Sequence, residues 1–150
     1  MAIFIRAAQA ADKDTLGVLK LRASLAWGDH VEKLQALPEA REVPAAHLPH
    51  ATVAELEGKI VGFATVLSAR DAFQAELEDL FVAPEAWRKG GGGRMLLAEA
   101  ENRAAVLGAR TLHVVAGKRA RPFYEASGYH FVATVTTDLE PGAELKKDLP

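Results

Sequence analysis

The segment Val82-Ala-Pro-Glu-Ala-Trp-Arg-Lys-Gly-Gly-Gly-Gly-Arg-Met-Leu-Leu97 is the stretch that decides the fold. It joins a predicted strand to a predicted helix, and it holds an R-x-x-G-x-G spacing from Arg88 to Gly93. Glycines let the backbone approach a ligand closely, and the free N–H groups at the start of a helix attract phosphate. Three flanking cations would neutralise a diphosphate locally: Arg88, Lys89 and Arg94. The segment therefore predicts an anion cradle.

The glycine run also fits other kinds of loop. These residues alone are also compatible with a flexible turn whose basic neighbours serve only solubility. The Walker phosphate loop fits poorly, because no Gly-Lys-Ser/Thr closes the run. The dinucleotide fingerprint fits poorly as well, because its helix follows the first strand of a parallel unit, whereas here three strands of antiparallel type come first. The order of elements favours a different phosphate ligand.

Strand and helix patterns alternate on both sides of this segment and predict a mixed sheet with helices on both faces. The predicted strands are 3–7, 52–56, 59–69, 76–82, 112–116, 129–136 and 143–147. The predicted helices are one capped by Asp12 or Asp14, a short one after Asp29, and those at 94–107 and 119–127. The connection 37–50 holds three prolines and little periodicity, so we expect an irregular surface segment and a candidate substrate lid.

Composition limits the class of protein. The 150 residues are the length of one domain, and a net charge of −2 disfavours nucleic acid as the main partner. Without cysteine there are no disulfides, thiolate metal sites or Cys nucleophile. No apolar run approaches the roughly 18 residues of a membrane span, and the apolar start is too short for a signal segment. We therefore expect one soluble, cytoplasmic domain over 1–150 that binds neither nucleic acid nor membrane.

Three motifs resemble the GNAT family of acetyl-CoA-dependent N-acetyltransferases, and the resemblance covers nearly the whole chain. The first is the R-x-x-G-x-G segment at 88–93 with the Leu-containing helix that follows it. The second is Leu80-Phe-Val-Ala-Pro84, which looks like the strand end whose backbone pairs with the pantetheine arm. The third, Ala120-Arg-Pro-Phe-Tyr-Glu-Ala-Ser-Gly-Tyr129, is similar to the family's A-x-x-F-Y-x-x-x-G-[FY]. Separated motifs in the right order are more specific than any one of them alone.

The resemblance implies a fold, a co-substrate and a set of binding residues. The implied fold is a mixed, mostly antiparallel sheet of roughly six to seven strands flanked by about four helices. The implied reaction moves acetyl from acetyl-CoA directly to a primary amine of a small molecule or peptide. Homodimers are common among relatives, although no segment here specifies one. The implied cofactor-binding residues are Leu80, Phe81, Val82, Arg88, Lys89, Gly90, Gly91, Gly92, Gly93, Arg94, Gly117 and Tyr124.

The sequence departs from the family pattern in the cradle and before the third motif. Gly117 stands where the family usually has Asn, which removes one side-chain contact near the pantetheine. Gly90 and Gly92 stand where a basic and an aliphatic residue are common, and the span 84–93 is roughly one residue longer than common. These departures leave two alternatives open: a module that senses acyl-CoA without turnover, and an acyltransferase that uses another acyl group or acceptor.

Direct transfer requires three groups: one to polarise the carbonyl, one to accept the ammonium proton and one to protonate the leaving thiolate. A backbone N–H within 80–82 is the candidate for the first. Tyr124 matches the family's general acid, with packing beside Phe123 as its structural alternative. Glu76 and Glu78 share one face of a strand and are candidate proton acceptors, directly or through water. A solvated strand face explains those two carboxylates equally well.

The remaining polar residues leave the acceptor unidentified. We expect its pocket in the least patterned regions, 27–50, 69–74 and 134–142, and an acidic lining there would suit a cationic amine. The basic run Lys118, Arg119 and Arg121 fits a solvated helix start and contacts to the cofactor's phosphates equally well. The pair His47 and His50 has no carboxylate or thiolate beside it, so we assign no metal.

Overall fold

The computed structural model describes residues 2–69, 71, 73–87 and 92–150. Seven strands form one sheet in the order β1-β2-β3-β4-β5-β7-β6. The strands are β1 Phe4–Ala7, β2 Ala51–Leu56, β3 Lys59–Ser68, β4 Gln74–Val82, β5 Thr111–Ala116, β6 His130–Val135 and β7 Gly142–Asp148. Strands β4 and β5 pair in parallel, whereas β1–β2, β2–β3, β5–β7 and β6–β7 pair antiparallel. The predicted mixed, mostly antiparallel sheet is confirmed.

The α-helices within the described ranges are α1 Lys13–Leu25, α2 Val31–Ala36, α3 Gly92–Val106 and α4 Arg121–Ala126. Helix α3 begins two residues earlier than the predicted 94, and α4 begins later than the predicted 119, because 117–120 forms a turn in which the Ala120 N–H donates to the Gly117 carbonyl (3.1 Å). None of the helices that the structure describes has the length and apolar character needed to cross a membrane.

The chain divides into two compact units. The first unit comprises Met1–Thr65 and Asp79–Ala100, and the second comprises Val66–Glu78 and Glu101–Pro150. Strands β3 and β4 and helix α3 pass from one unit into the other, so neither unit is a continuous stretch of chain. The single domain expected over residues 1–150 stays a prediction.

The core of the first unit forms around one face of α1. Leu16 and Leu19 lie on that face at helical spacing and are buried beside Phe63 of β3. The predicted irregular segment 37–50 contributes to the same core, because Val43 and Leu48 are buried in this cluster. The segment also forms two short 3₁₀ helices, Pro38–Arg41 and Ala45–His50. Apolar anchors, which the proline content does not reveal, therefore hold this segment in place.

The core of the second unit lies on one face of β5 and β7. Alternate residues of β5 are buried, beginning with Leu112, which pairs with Lys147 of β7. Leu145 of β7 is fully buried in the same core. The amine of Lys147 donates to both carboxylate oxygens of Glu101 on α3 (3.1 and 3.2 Å). Alternation along a strand thus places one side in the core and leaves the other accessible.

An ion pair connects β1 to the start of α1. The Arg6 guanidinium donates two hydrogen bonds to the Asp12 carboxylate (2.8 and 3.1 Å), and the Gln9 N–H donates a third (2.8 Å). The hydrogen bond from Arg6, partly offset by burial, holds the pKa of Asp12 below its usual 3.8. Asp12 stands at the predicted cap position, but its side chain makes no capping hydrogen bond to α1 and instead fixes the preceding turn through Gln9.

We expect Asp12→Asn to cost about 2 kcal/mol of unfolding free energy at neutral pH, because it weakens charge-assisted hydrogen bonds. Because the pKa of Asp12 is lower in the folded than in the unfolded protein, the ionised carboxylate stabilises the fold at pH values above the unfolded pKa. This stabilisation is lost as the pH falls through the folded pKa. The difference in unfolding free energy between wild type and variant should therefore narrow below about pH 3.8. Urea melts at several pH values measure it. Asp14→Asn, an exposed carboxylate on the same helix, is the control, and equal losses in both variants would contradict the assignment.

Candidate functional site

The structure describes only the second half of the predicted anion cradle. Arg88, Lys89, Gly90 and Gly91 lie outside the described residues, and their roles stay predictions. Gly92 and Gly93 form the first turn of α3 together with Arg94, and this turn carries no acidic residue. A Cβ on Gly92 would lie 3.4 Å from Cδ1 of Ile3, so this helix start is closely packed. The Arg94 side chain is exposed.

The end of β4 contributes backbone rather than side chain. The Phe81 ring packs against Phe63, with ring centroids 5.7 Å apart, and joins the core of the first unit. The Ala83 N–H donates to the Val61 carbonyl (2.7 Å), and the Val82 carbonyl accepts a bond from the Trp87 indole (2.7 Å). The predicted role of Leu80, Phe81 and Val82 in cofactor binding is compatible with this placement and stays a prediction.

Gly62 allows β3, β4 and α3 to approach each other. A Cβ at Gly62 would lie 2.8 Å from Cδ1 of Leu96 on α3 and 3.0 Å from the carbonyl oxygen of Phe81. Such distances leave no room for a side chain without displacement of its neighbours. The absence of a side chain at this position therefore sets how closely the first turns of α3 lie against the end of β4.

The two tryptophans of the chain, Trp27 and Trp87, stack on each other. Their ring centroids are 4.6 Å apart at an interplanar angle of 29°, and both rings are partly exposed. Trp87 immediately precedes residues 88–91, and Trp27 follows α1. Sequence reasoning missed this pair, because the residues are far apart in the chain and show no common periodicity.

The acidic residues of β4 separate by exposure as their alternation predicts. Glu76 and Glu78 are exposed, whereas Asp79 is only 5% exposed. The carboxylate of Asp79 lies 3.7 Å from the Lys20 ammonium, which also donates to the Glu42 carbonyl (3.2 Å). Asp79 therefore has a structural partner, and the proton-acceptor role of the exposed Glu76 and Glu78 stays a prediction.

Glu76 and Glu78 occupy different positions relative to β5. Glu76 pairs with His113 in the parallel ladder. Nδ1 of His113 lies 3.0 Å from Oε2 of Glu144, so this histidine is engaged by another carboxylate. The pairs run from Gln74–Thr111 to Leu77–Val114, and Glu78 is the first residue of β4 beyond them. Of the two candidate proton acceptors, Glu76 is paired with β5, whereas Glu78 directly follows the last pair.

Tyr124 lies on α4 in the second unit and is 6% exposed. Its ring makes edge-to-face contacts with Phe123 (centroids 5.1 Å apart) and Tyr129 (5.7 Å). Within the described part of the chain, its hydroxyl has no hydrogen-bond partner. Burial alone raises the pKa of Tyr124 above its usual 10.0. The ring packs, as the structural alternative predicts, while the hydroxyl is left available.

The hydroxyl of Tyr129, unlike that of Tyr124, has a hydrogen-bond partner among the described residues. Its hydroxyl donates to Oε2 of Glu101 (2.8 Å), and the Lys147 amine donates to the same carboxylate. Burial and this hydrogen bond raise the pKa of Tyr129. The chain has two tyrosines, and one of them is fixed by a structural network. Tyr124 is therefore the tyrosine whose proton is not committed to another described residue.

Gly117 lies at the turn that leads into α4, where its carbonyl accepts bonds from the N–H groups of Ala120 (3.1 Å) and Arg121 (3.0 Å). A Cβ at Gly117 would meet no described atom within 4 Å. The space for the family's usual Asn is therefore present although the side chain is not. Over the described ranges, no group of three or more His, Cys, Asp or Glu residues could hold a metal ion.

Comparison with known proteins gives a consistent result. The model of the Acetyltransferase (GNAT) family matches residues 21–129. An amino-acid acetyltransferase of Pseudomonas syringae pv. syringae is 40% identical over 86 residues, which are 57% of this chain and 20% of that protein. The chain thus spans about a fifth of the length of this curated relative.

Solved structures share the fold at low sequence identity. PaiA N-acetyltransferase from Thermoplasma acidophilum, in complex with coenzyme A, superposes with a TM-score of 0.81 at 19% identity, and 99% of each chain is covered. N-acetylglutamate synthase from Neisseria gonorrhoeae, complexed with coenzyme A and N-acetyl-glutamate, gives 0.73 at 21% identity over 100% of this chain and 36% of that one. The predicted fold is confirmed by these neighbours.

Proposed function

The chain belongs to the acetyltransferase (GNAT) family, and on that premise we propose that it moves an acetyl group from acetyl-CoA directly to a primary amine. The observation that carries the proposal is Tyr124, a buried tyrosine of the family's third motif whose hydroxyl has no hydrogen-bond partner among the described residues. Acetyl-CoA supplies the acetyl group as an activated thioester. The named activity of the Pseudomonas relative and the coenzyme A bound to both neighbours support the same proposal.

The described residues fit coenzyme A at the start of α3. This helix is 15 residues long, and its first turn offers N–H groups and Arg94 without a carboxylate. A diphosphate is favoured there by the helix dipole and by the cation. We propose that Arg88, Lys89, Gly90 and Gly91 complete this cradle, as the family pattern implies. Backbone groups within 80–82 would bind the pantetheine arm and polarise the thioester carbonyl.

Tyr124 is proposed as the general acid. In the transfer the amine nitrogen forms a bond to the acetyl carbon, the carbon–sulfur bond breaks, and the sulfur takes the Tyr124 proton. A phenol with the usual pKa of 10.0 is already protonated at neutral pH, and burial raises the pKa of Tyr124 further, so the proton is present when it is needed. A protein with no cysteine has no thiol for a covalent acyl intermediate, which agrees with direct transfer.

The substrate amine is an ammonium ion at neutral pH, so a base must accept its proton before the nitrogen can attack the acetyl carbon. We propose Glu78, because it is exposed and is the first β4 residue beyond the ladder with β5. Glu76 is the second candidate, acting through water. The cytoplasmic location, the homodimer and the single domain over residues 1–150 stay predictions.

We expect millimolar CoA to raise the melting temperature by about 5 °C, since a ligand that binds only the folded state stabilises it by mass action.

Arg94→Gln should weaken CoA binding by about tenfold, in a salt-dependent way, because one cation beside the diphosphate is lost. Arg103→Gln, in the last turn of the same helix, is the matched control. Isothermal titration measures both affinities, and the stacked tryptophans offer a fluorescence readout.

Three results would redirect the proposal. Absence of both a melting shift and titration heat with CoA would remove its central claim. Tight CoA binding without acetyl transfer to any member of a broad amine panel would favour the acyl-CoA sensor, for which the open space at Gly117 is the relevant observation. Transfer from propionyl-CoA or a longer thioester in preference to acetyl-CoA would favour the other acyl group.

A further inference from the structure

The second unit contains a pocket of about 280 Å³ that lies outside the residues assigned so far. Its walls come from the start of α4, from β6 and from the loop that joins β6 to β7. This loop belongs to one of the regions that the sequence left for the acceptor. Pockets for drug-sized ligands run from roughly 300 to 1,000 Å³, so a volume of this size suits a smaller metabolite.

The loop wall of the pocket has a defined shape. The Thr137 hydroxyl donates to the Glu140 carbonyl and accepts a bond from the Leu139 N–H (3.2 Å), which closes the loop on itself. A Cβ on Gly142 would lie 3.0 Å from Cγ1 of Val115 and 3.2 Å from Cγ2 of Thr137. The loop therefore depends on glycine at 142 to lie this close to β5.

The lining is cationic. Lys118 and Arg121 both line the pocket, against one carboxylate, that of Glu140. The Arg121 guanidinium lies 4.9 Å from the centroid of the Phe131 ring, and its Nε is 3.4 Å from the Glu125 carboxylate. Both contacts are made by a partly exposed side chain, and they orient the guanidinium beside the pocket. A guanidinium with its planar set of donors is well suited to a carboxylate.

The pocket is linked to the proposed chemistry through α4. Arg121 and Tyr124 are three residues apart on this helix, so their side chains are neighbours on its surface. A carboxylate held at Arg121 would lie one helical turn from the proposed proton donor. This spacing suits a reactant whose carboxylate is bound at Arg121.

We propose that the acceptor is an amine that also carries a carboxylate, of the size of a free amino acid, and that Arg121 and Lys118 bind this carboxylate. The term acceptor rests on the proposed acetyl transfer. The cationic pocket adds to the acidic lining that would suit a cationic amine: an amino acid needs a cationic subsite for its carboxylate and a proton acceptor for its ammonium group. The name of the Pseudomonas relative agrees with this class of acceptor.

A matched pair of compounds tests the carboxylate. L-Leucine and 3-methylbutylamine differ only in that group, and the panel extends to the other standard amino acids, each in the presence of saturating CoA for binding or acetyl-CoA for turnover. We expect at least one amino acid to bind and to be acetylated, and its decarboxylated amine to be at least tenfold poorer in kcat/KM. Equal or better transfer to the amines, or no amino acid that binds or reacts, would overturn the proposal.

A matched pair of variants tests the pocket. Arg121→Gln should raise KM for the amino acid by about ten- to hundredfold and leave KM for acetyl-CoA unchanged, because one charge-assisted contact is lost. Lys118→Gln, at an exposed position, should act in the same direction and guards against a folding defect. Arg110→Gln is the control, since its guanidinium also lies over a ring, that of Phe73 (4.7 Å), outside this pocket.

The same variants separate the sources of the anion. A rise in KM for acetyl-CoA, or a lost CoA melting shift, in Arg121→Gln would mean that the pocket holds a phosphate of the cofactor and would overturn the proposal. Calorimetric titration of the amino acid needs no turnover. Binding by wild type and its loss in Arg121→Gln would support the pocket even if acetyl transfer itself were absent.

Discussion

Tyr124→Phe should lower kcat by about 10²- to 10⁴-fold and leave CoA affinity and the melting temperature nearly unchanged. The ring keeps its edge-to-face contacts with Phe123 and Tyr129, and only the proton donor is removed. General acid catalysis is typically worth a factor of this size. Steady-state kinetics with the amine acceptor, together with a CoA melting curve, measures the two quantities separately.

Tyr129→Phe is the matched control for this experiment. It removes a hydroxyl that donates to Glu101, so it should cost about 1 kcal/mol of unfolding free energy and leave turnover intact. A thioester with a more acidic thiol should also reduce the defect of Tyr124→Phe, because such a sulfur departs without a proton. A Phe variant with full turnover would make Tyr124 a packing residue and water the proton source.

The features that the sequence predicts best are local ones. The hairpin of β2 and β3 turns at Glu57 and Gly58, whose φ angles of 53° and 79° are the left-handed pair that a two-residue turn requires. Tyr124 was selected from a short motif that resembles one of the family and spans one helix and its exit, and its catalytic role stays a prediction. Such signals need no knowledge of distant partners, since the residues that determine the conformation are neighbours in the chain.

The features that the sequence does not predict are pairings between distant residues. Alternation along β4 places Asp79 on an inner face, but nothing in that pattern indicates that Lys20 lies opposite it. The segment 37–50 was predicted as irregular because of its prolines, while its two buried anchors show no period. The cationic pocket likewise combines Arg121 with a loop that follows the next strand. Periodicity gives the direction of a side chain and leaves its partner undetermined.

Gly17 is the position where a contact with a distant residue, which local propensity does not reveal, has the largest consequence for stability. An interior helical glycine normally costs up to about 1 kcal/mol relative to alanine, so helix propensity predicts that Gly17→Ala stabilises the protein. The structure predicts the opposite sign. A Cβ at Gly17 would lie 2.3 Å from the backbone carbonyl oxygen of Arg41 and 3.3 Å from its carbonyl carbon. Backbone atoms cannot rotate away as a side chain can.

We therefore expect Gly17→Ala to lower the free energy of unfolding by about 3 kcal/mol, the upper part of the range for overpacked cores. Urea denaturation should show a lower midpoint at an unchanged slope. Val18→Ala, at the next position and 60% exposed, is the control and should shift the midpoint only slightly, in the direction that helix propensity gives. A Gly17→Ala protein at least as stable as wild type would mean that the segment around Arg41 moves away at little cost. The close contact between α1 and the 3₁₀ helix Pro38–Arg41 would then not be what fixes the position of residues 37–50.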